Sequence, residues 1–235
     1  VQINTKALGG TAYVDGALNF DDPIFKQQWD QAARAAISGH LRVEDNYETV
    51  CMMTGDIVAG IGSTASILYF QDVVTYPDNT TEPLIIRALP CPSPEGGEKL
   101  AMQQGVGLCM KKSDERKQAA SLLFARWISQ GETNLQFVTR SGYMPVQNEA
   151  FAGIASHTFE NDSYRSLYDA MDIMHNTYGF YLPPVVDGYY DILWSFYDSS
   201  IEVLSDCREK YLSGEGTLDL LVGESYARMR HAMEE

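Results

Sequence analysis

Apolar residues recur along this chain at two spacings, and the helical one predominates. From Asp22 the stretch DPIFKQQWDQAARAAIS sets Phe25, Trp29, Ala32, Ala33 and Ala36 on one face at helical period. Asp22 before Pro23 is a start signal: a carboxylate can accept the open first-turn amides, and proline suits the first helical position. Gly39 is the matching stop. The same spacing predicts a short helix with Tyr47, Val50, Cys51 and Thr54, closed by Gly55. It predicts a longer one capped by Ser113, with apolar face Ala119, Ala120, Leu123, Phe124, Trp127 and Ile128. Asp114 and Glu115 fall in its first turn, where the helix dipole favours acids. A short helix follows around 135–138. The last third predicts three more, on Tyr164, Leu167, Met171 and Met174; on Tyr190, Leu193, Trp194, Tyr197, Ile201 and Leu204; and, behind Thr217 as cap, on Leu218, Leu221, Val222 and Met229.

The second pattern is the short continuous apolar run. IVAGI (57–61), LIIRAL (84–89) and GVGLCM (105–110) read as buried strands. CPSPEGG (91–97) reads as a loop. The result is a helix-rich α/β pattern with few strands for a sheet of its own. Together with Val1 as first residue, this predicts that part of the fold is supplied from the N-terminal side.

Composition narrows the partners. The 235 residues are 45% hydrophobic and 21% charged, ordinary for a globular protein, and the formal net charge is −15. Such a surface repels phosphate backbones and anionic lipid, which disfavours nucleic acid and membrane surfaces. Cys51, Cys91, Cys109 and Cys207 show no metal-binding or scaffold spacing, and the reading is buried thiols, with a Cys91–Cys109 bridge as the alternative. His40, His157, His175 and His231 are scattered, so no metal set and no cofactor is expected.

No catalytic constellation emerges. GIGSTAS resembles a serine elbow loosely, but Ala65 stands where the second glycine belongs, and no GK[ST] follows for a phosphate loop. A turn from Gly62 through Ser63 and Thr64 into a new helix has another meaning. First-turn amides lack internal partners and can take hydroxyls, carboxylates or phosphates. The plainer alternative is that the serine caps its own helix. SGYMPVQNEAF (141–151) poses the same choice after a helix end. Gly142 and Tyr143 either punctuate the helix with a packed ring or present open backbone and an aromatic face to a ligand.

Taken in order, the run IVAGI, GSTAS, LIIRAL, LPCPSPEGG, GVGLCMKKS, AASLLFARWIS and SGYMPV resembles the family 1 extracellular solute-binding proteins of ABC importers, nearest the sugar and glycerol-phosphate branch. The helix KQAASLLFARWIS followed by FVTRSGYMPVQNEAF is its most specific part. The resemblance spans most of the chain and is strongest from Gly55 to Phe151.

The resemblance implies a periplasmic-binding-protein-like type II fold: two α/β lobes, a ligand cleft between them, and hinge closure. Residues 1–235 would be the helix-rich C-terminal lobe with hinge-crossing strands, the N-terminal lobe largely missing. The segment from about 84 to 140 would contribute to the hinge and the other lobe. Carried over by position, Gly62, Ser63, Thr64, Gly142 and Tyr143 would face the cleft. DGYYDILW (187–194) would form a third wall, with Tyr189 and Tyr190 where phosphate-binding members carry an arginine. Rings without a guanidinium suit a sugar better than a dianion, although Tyr190 and Trp194 at helical spacing also read as core. The implied function is non-enzymatic binding of a sugar or oligosaccharide and its delivery to ABC permease subunits. The implied location is outside the cell, as a cell-surface lipoprotein or periplasmic protein whose only membrane attachment is an N-terminal anchor. A glycan- or peptide-binding surface module without a transporter is the alternative, and a hydrolase is third.

Overall fold

The computed structural model describes residues 1–234. In chain order the elements are α1 (Gln2–Ala7), β1 (Tyr13–Val14), β2 (Ala17–Leu18), α2 (Pro23–Ser38), α3 (Glu48–Met53), a 3-10 helix (Thr64–Tyr69), β3 (Val73–Thr75) and β4 (Thr81–Pro83). There follow β5 (Leu100–Met102), α4 (Glu115–Ile128), α5 (Gly131–Ser141), α6 (Asn148–Ile154), α7 (Asp162–Thr177), β6 (Gly179–Tyr181), α8 (Tyr189–Ser213) and α9 (Leu218–Glu234). They fall into two compact units. The first takes Val1–Asn46, Pro92–Gln103 and the chain from Tyr178 onward; the second takes Tyr47–Cys91 and Gln104–Thr177.

The first unit is built on α2, α8 and α9. Asp22 caps α2 as its sequence predicts: Oδ1 accepts from the amides of Ile24 (2.8 Å) and Phe25 (2.9 Å), and Oδ2 from Thr11 (2.8 Å). Gly39 ends the helix at φ +88°, in left-handed geometry. The face it presents, Phe25, Trp29, Ala33 and Ile37, is fully buried against Val203, Leu204, Cys207, Leu221, Val222 and Met229. Burying each large apolar side chain stabilises by about 1.5–3 kcal/mol. The Trp29 indole N–H donates to Ser225 Oγ (3.0 Å), so the core's one indole is not left unpaired. Two small sheets flank these helices. β1 and β2 form a hairpin whose Asp15 (φ +50°) and Gly16 (φ +83°) make the doubly left-handed turn that matches strand twist. β5 and β6 pair in parallel, Leu100 opposite Gly179 and Met102 opposite Tyr181.

The second unit packs α5 on α6, with α4 touching α5, α7 against the 3-10 helix, and the β3–β4 hairpin beside α3. Its core is Ile67, Val138, Ala150, Ile154, Leu167, Tyr168, Met171 and Met174.

Several expectations need correcting here. The runs 57–61, 84–89 and 105–110 form no strand; among the described residues the sheets are three two-stranded pairs. Val58, Ile61, Ile85, Leu89, Val106 and Leu108 are instead largely exposed. A β-prone run becomes a strand only when neighbours complete its ladder, and no described segment does so. The hinge-crossing strands are therefore not seen; the helix-rich α/β character is. α4 forms, but Asp114 caps it rather than Ser113, accepting from the Lys117 amide (2.9 Å). None of its residues is buried, and Leu123 is 70% exposed. Trp194 is 61% exposed and so is no core residue. No disulfide joins Cys91 and Cys109, and only Cys51 and Cys207 are buried.

Candidate functional site

Within the second unit, two segments remote in sequence meet. Ser63 opens the 3-10 helix, its Oγ accepting from the Ala65 amide (3.2 Å), while the Ser63 carbonyl accepts from the Ser66 amide (2.9 Å). Gly142 ends α5 at φ +70° and is buried directly against this helix. A Cβ placed on Gly142 would lie 2.7 Å from the Thr64 carbonyl oxygen and 3.0 Å from Ala65 Cα. The glycine is required here twice, by its left-handed backbone and by close approach to another backbone. Its backbone is thus covered by the 64–67 turn rather than open to a ligand.

The turn after Gly142 is pinned from two sides. The Tyr168 hydroxyl, fully buried, is shared between the carbonyls of Val138 and Tyr143, the latter at 3.0 Å. Burial pushes its phenol well above the ordinary tyrosine value. Asn134, also buried, accepts the Val146 amide on Oδ1 (2.9 Å). Pro145 is buried, whereas the Tyr143 side chain is half-buried and Gly62 and Ser63 are exposed. A third group completes the cluster. Glu48, in the first turn of α3, accepts the Ser66 hydroxyl on Oε1 (2.6 Å) and leans over Gly60 and Gly62. Glu48, Ser66, Asn134 and Tyr168 were not singled out by sequence pattern. A polar Asn on the buried face of α5 was the one available signal.

Tyr189 and Tyr190 lie on the first unit, at the start of α8. Tyr189 is buried, with its ring 6.0 Å from that of Tyr13, and burial raises the phenols of both. Both hydroxyls are buried and lie close to each other. Tyr190 is 65% exposed, and Trp194 stands one turn beyond it on the same face, its ring edge-on to Tyr197 at 6.1 Å. Gly188 starts the helix at φ +71° with no capping side chain. Residues 183–191 border a shallow, open hollow on the surface. No lysine or arginine occurs from Pro183 to Tyr197. This patch offers ring faces, and the one on the second unit offers hydroxyls and a carboxylate.

At the second unit's patch the Ser66 hydroxyl donates to the Glu48 carboxylate, and no histidine among the described residues bonds to either. Ser63 Oγ is engaged by the Ala65 amide, and no histidine among the described residues bonds to it. Asp206, Cys207 and Glu224 are the one group of possible metal donors among the described residues. Their carboxylates are already neutralised, Asp206 by Arg228 and Lys210 and Glu224 by Lys210 at 2.7 Å, and burial raises the Cys207 thiol. That arrangement is an ion-pair network between α8 and α9. No described helix is long and apolar enough to cross a membrane. No protein-family model matches the chain, and no curated protein matches it.

Proposed function

We propose that this chain is the C-terminal part of a two-lobed, periplasmic-binding-protein-like solute-binding protein. In this reading it binds a sugar or oligosaccharide without chemical turnover and hands it to the permease subunits of an ABC importer outside the cytoplasm. The observation that carries the reading is the meeting of the Gly62–Ser66 turn with the Gly142–Tyr143 turn, about 80 residues apart in sequence. Both lie in the stretch from Gly55 to Phe151 over which the family resemblance is strongest, and the second belongs to its most specific part. Together they place a half-buried aromatic side chain, serine hydroxyls and a carboxylate on one unit, which are groups that recognise sugar hydroxyls and ring faces. The exposed rings of Tyr190 and Trp194 add a stacking surface of the same chemistry. The runs 57–61, 84–89 and 105–110, which form no strand, and the exposed face of α4 accord with segments that pack against a further lobe.

The test is calorimetric titration of the chain with glucose, maltose, maltotriose and raffinose, repeated on Tyr143→Ala and Tyr190→Ala. Micromolar binding corresponds to about −8 kcal/mol. Loss of a stacking ring should remove roughly 1–3 kcal/mol of it. The reading fails if no sugar binds, or if both variants bind as the parent chain does.

A further inference from the structure

The exposed side of α8 brings rings and carboxylates together. Trp194 has Tyr190 and Asp191 one turn before it and Tyr197 and Asp198 one turn after, at offsets of three and four residues. Such neighbours share a helix face, about 5–6 Å apart at Cβ. Tyr190, Asp191, Trp194 and Asp198 are all exposed, and Tyr197 stands edge-on to the Trp194 ring. The Tyr197 hydroxyl donates to the Glu44 carbonyl (2.6 Å), which fixes one side of the stripe. The hollow bordered by residues 183–191, Asp187 among them, adjoins the stripe at its Tyr190 end.

The charge of this stripe is uncompensated. From Tyr178 to Cys207 the chain carries five acids and no lysine, arginine or histidine. Asp206 is paired with Arg228 and Lys210, but Asp187, Asp191, Asp198 and Glu202 form no ion pair among the described residues. Acids elsewhere in the first unit do have cations: Asp21 meets Arg230, Asp30 meets Lys26 and Asp219 meets Arg34. In the loop that meets the stripe, Arg42 is paired with Glu44 at 2.7 Å, and Asp45 adds another carboxylate. Burial and the charges of Asp45, Asp198 and Glu44 hold the Tyr197 phenol above its ordinary value. The complement of this face is therefore a cation, which ring faces attract as carboxylates do. A neutral sugar can stack on the rings but leaves the carboxylates beside them unpaired.

We propose that the α8 stripe selects sugars that carry a protonated amine, the sugar ring stacking on Tyr190 and Trp194 and the ammonium meeting Asp191 and Asp198. The proposal rests on the sugar-binding reading above and names the class of sugar. The whole chain is titrated calorimetrically at low salt with a glucosamine trimer, with the same trimer N-acetylated, and with maltotriose. The amine form should bind at least about fivefold more tightly than its N-acetylated counterpart, as a cation–π contact and an exposed ion pair together allow. Asp191→Asn with Asp198→Asn should bring that ratio close to one at an unchanged melting temperature, the N-acetylated trimer being bound as before. Asp198→Asn alone, clear of the helix start, should still narrow it at least about twofold. Trp194→Ala should weaken both trimers. Glu115→Gln, which removes a carboxylate from the second unit, should leave the ratio as it is. Equal affinity of the wild-type chain for the two trimers overturns the proposal. So does a ratio that survives the aspartate substitutions, or one that falls as far in Glu115→Gln, where attraction to the acidic chain as a whole is the cause. So does a Trp194→Ala chain that binds both trimers as wild type does. In each of these cases binding of the N-acetylated trimer or of maltotriose leaves the sugar-binding reading standing. Absence of binding to all three sugars overturns both.

Discussion

Replacing Gly142 by alanine tests the contact on which the second unit's candidate site depends. Two costs add. The backbone sits at φ +70°, where a Cβ is disfavoured by about 1–2 kcal/mol. The new methyl would also lie 2.7 Å from the Thr64 carbonyl oxygen and 2.9 Å from Ile67 Cγ2, and relieving such overpacking costs about 1–3 kcal/mol. The expected loss is therefore about 2–5 kcal/mol. Gly214→Ala is the internal control: it has nearly the same geometry, φ +78° at the end of α8, with nothing within 4 Å of the added methyl. It should cost only the first term, about 1–2 kcal/mol. Native-state hydrogen exchange reads the two changes separately, through the amides of α5 and α7 for Gly142 and of α8 and α9 for Gly214. Equal losses at the two positions would refute the close approach of Gly142 to the 64–67 turn.

Three further outcomes follow from burial. The Tyr168 and Tyr13 phenols are both held above their ordinary value of 10.0, chiefly by burial, so the folded chain keeps protons that the unfolded chain releases. Stability is then full below about pH 10 and falls as pH rises past it, by up to about 1.4 kcal/mol per buried phenol per pH unit; a denaturation series from pH 8 to 11.5 with a flat midpoint would contradict this, and Tyr168→Phe should flatten part of the fall. In a thiol titration Cys109 should react within the mixing time, Cys91 more slowly because burial raises its thiol, and Cys51 and Cys207 only after unfolding. Trp29→Ala should cost about 3–5 kcal/mol, as buried aromatics do, while Trp194→Ala should change the first unit's stability by less than about 0.5 kcal/mol; comparable losses in urea melts would reject the assigned burial.

What could be read in the sequence was what depends on neighbours in the chain. Asp22-Pro23 and Gly39 bound α2 because capping is local, and the spacing of Leu167, Met171 and Met174 finds the buried face of α7 for the same reason. The runs 57–61, 84–89 and 105–110 misled because a strand needs a partner that composition cannot supply. α4 misled differently: its spacing is helical, and it is a helix, but periodicity says which face could be buried and not whether anything lies there. Asp15-Gly16, flanked by Tyr13-Val14 and Ala17-Leu18, is a hairpin signal that the helical and apolar-run patterns passed over, whereas β5 and β6 are three residues each, too short to register. At the site, Ser63 as a cap and Gly142 as a left-handed helix end follow from residue type. Glu48 and Tyr168 do not, because each acts on residues 18 to 30 positions away.

The first unit is assembled from three stretches of chain and the second from two, so the polypeptide passes from one to the other four times. Trp29 and its hydrogen-bond partner Ser225 are separated by 196 positions. At a synthesis rate of about 5–20 residues per second, Trp29 leaves the ribosome roughly 10–40 s before its partner exists. For that interval Phe25, Trp29 and Ile37 form a helix face with nothing to cover it. The first unit cannot complete its core as it emerges and must wait for α8 and α9, so nascent chains stalled before α8 carry that apolar face uncovered. A chain ended before Leu221 should lose the first unit's core as fully as one ended far upstream.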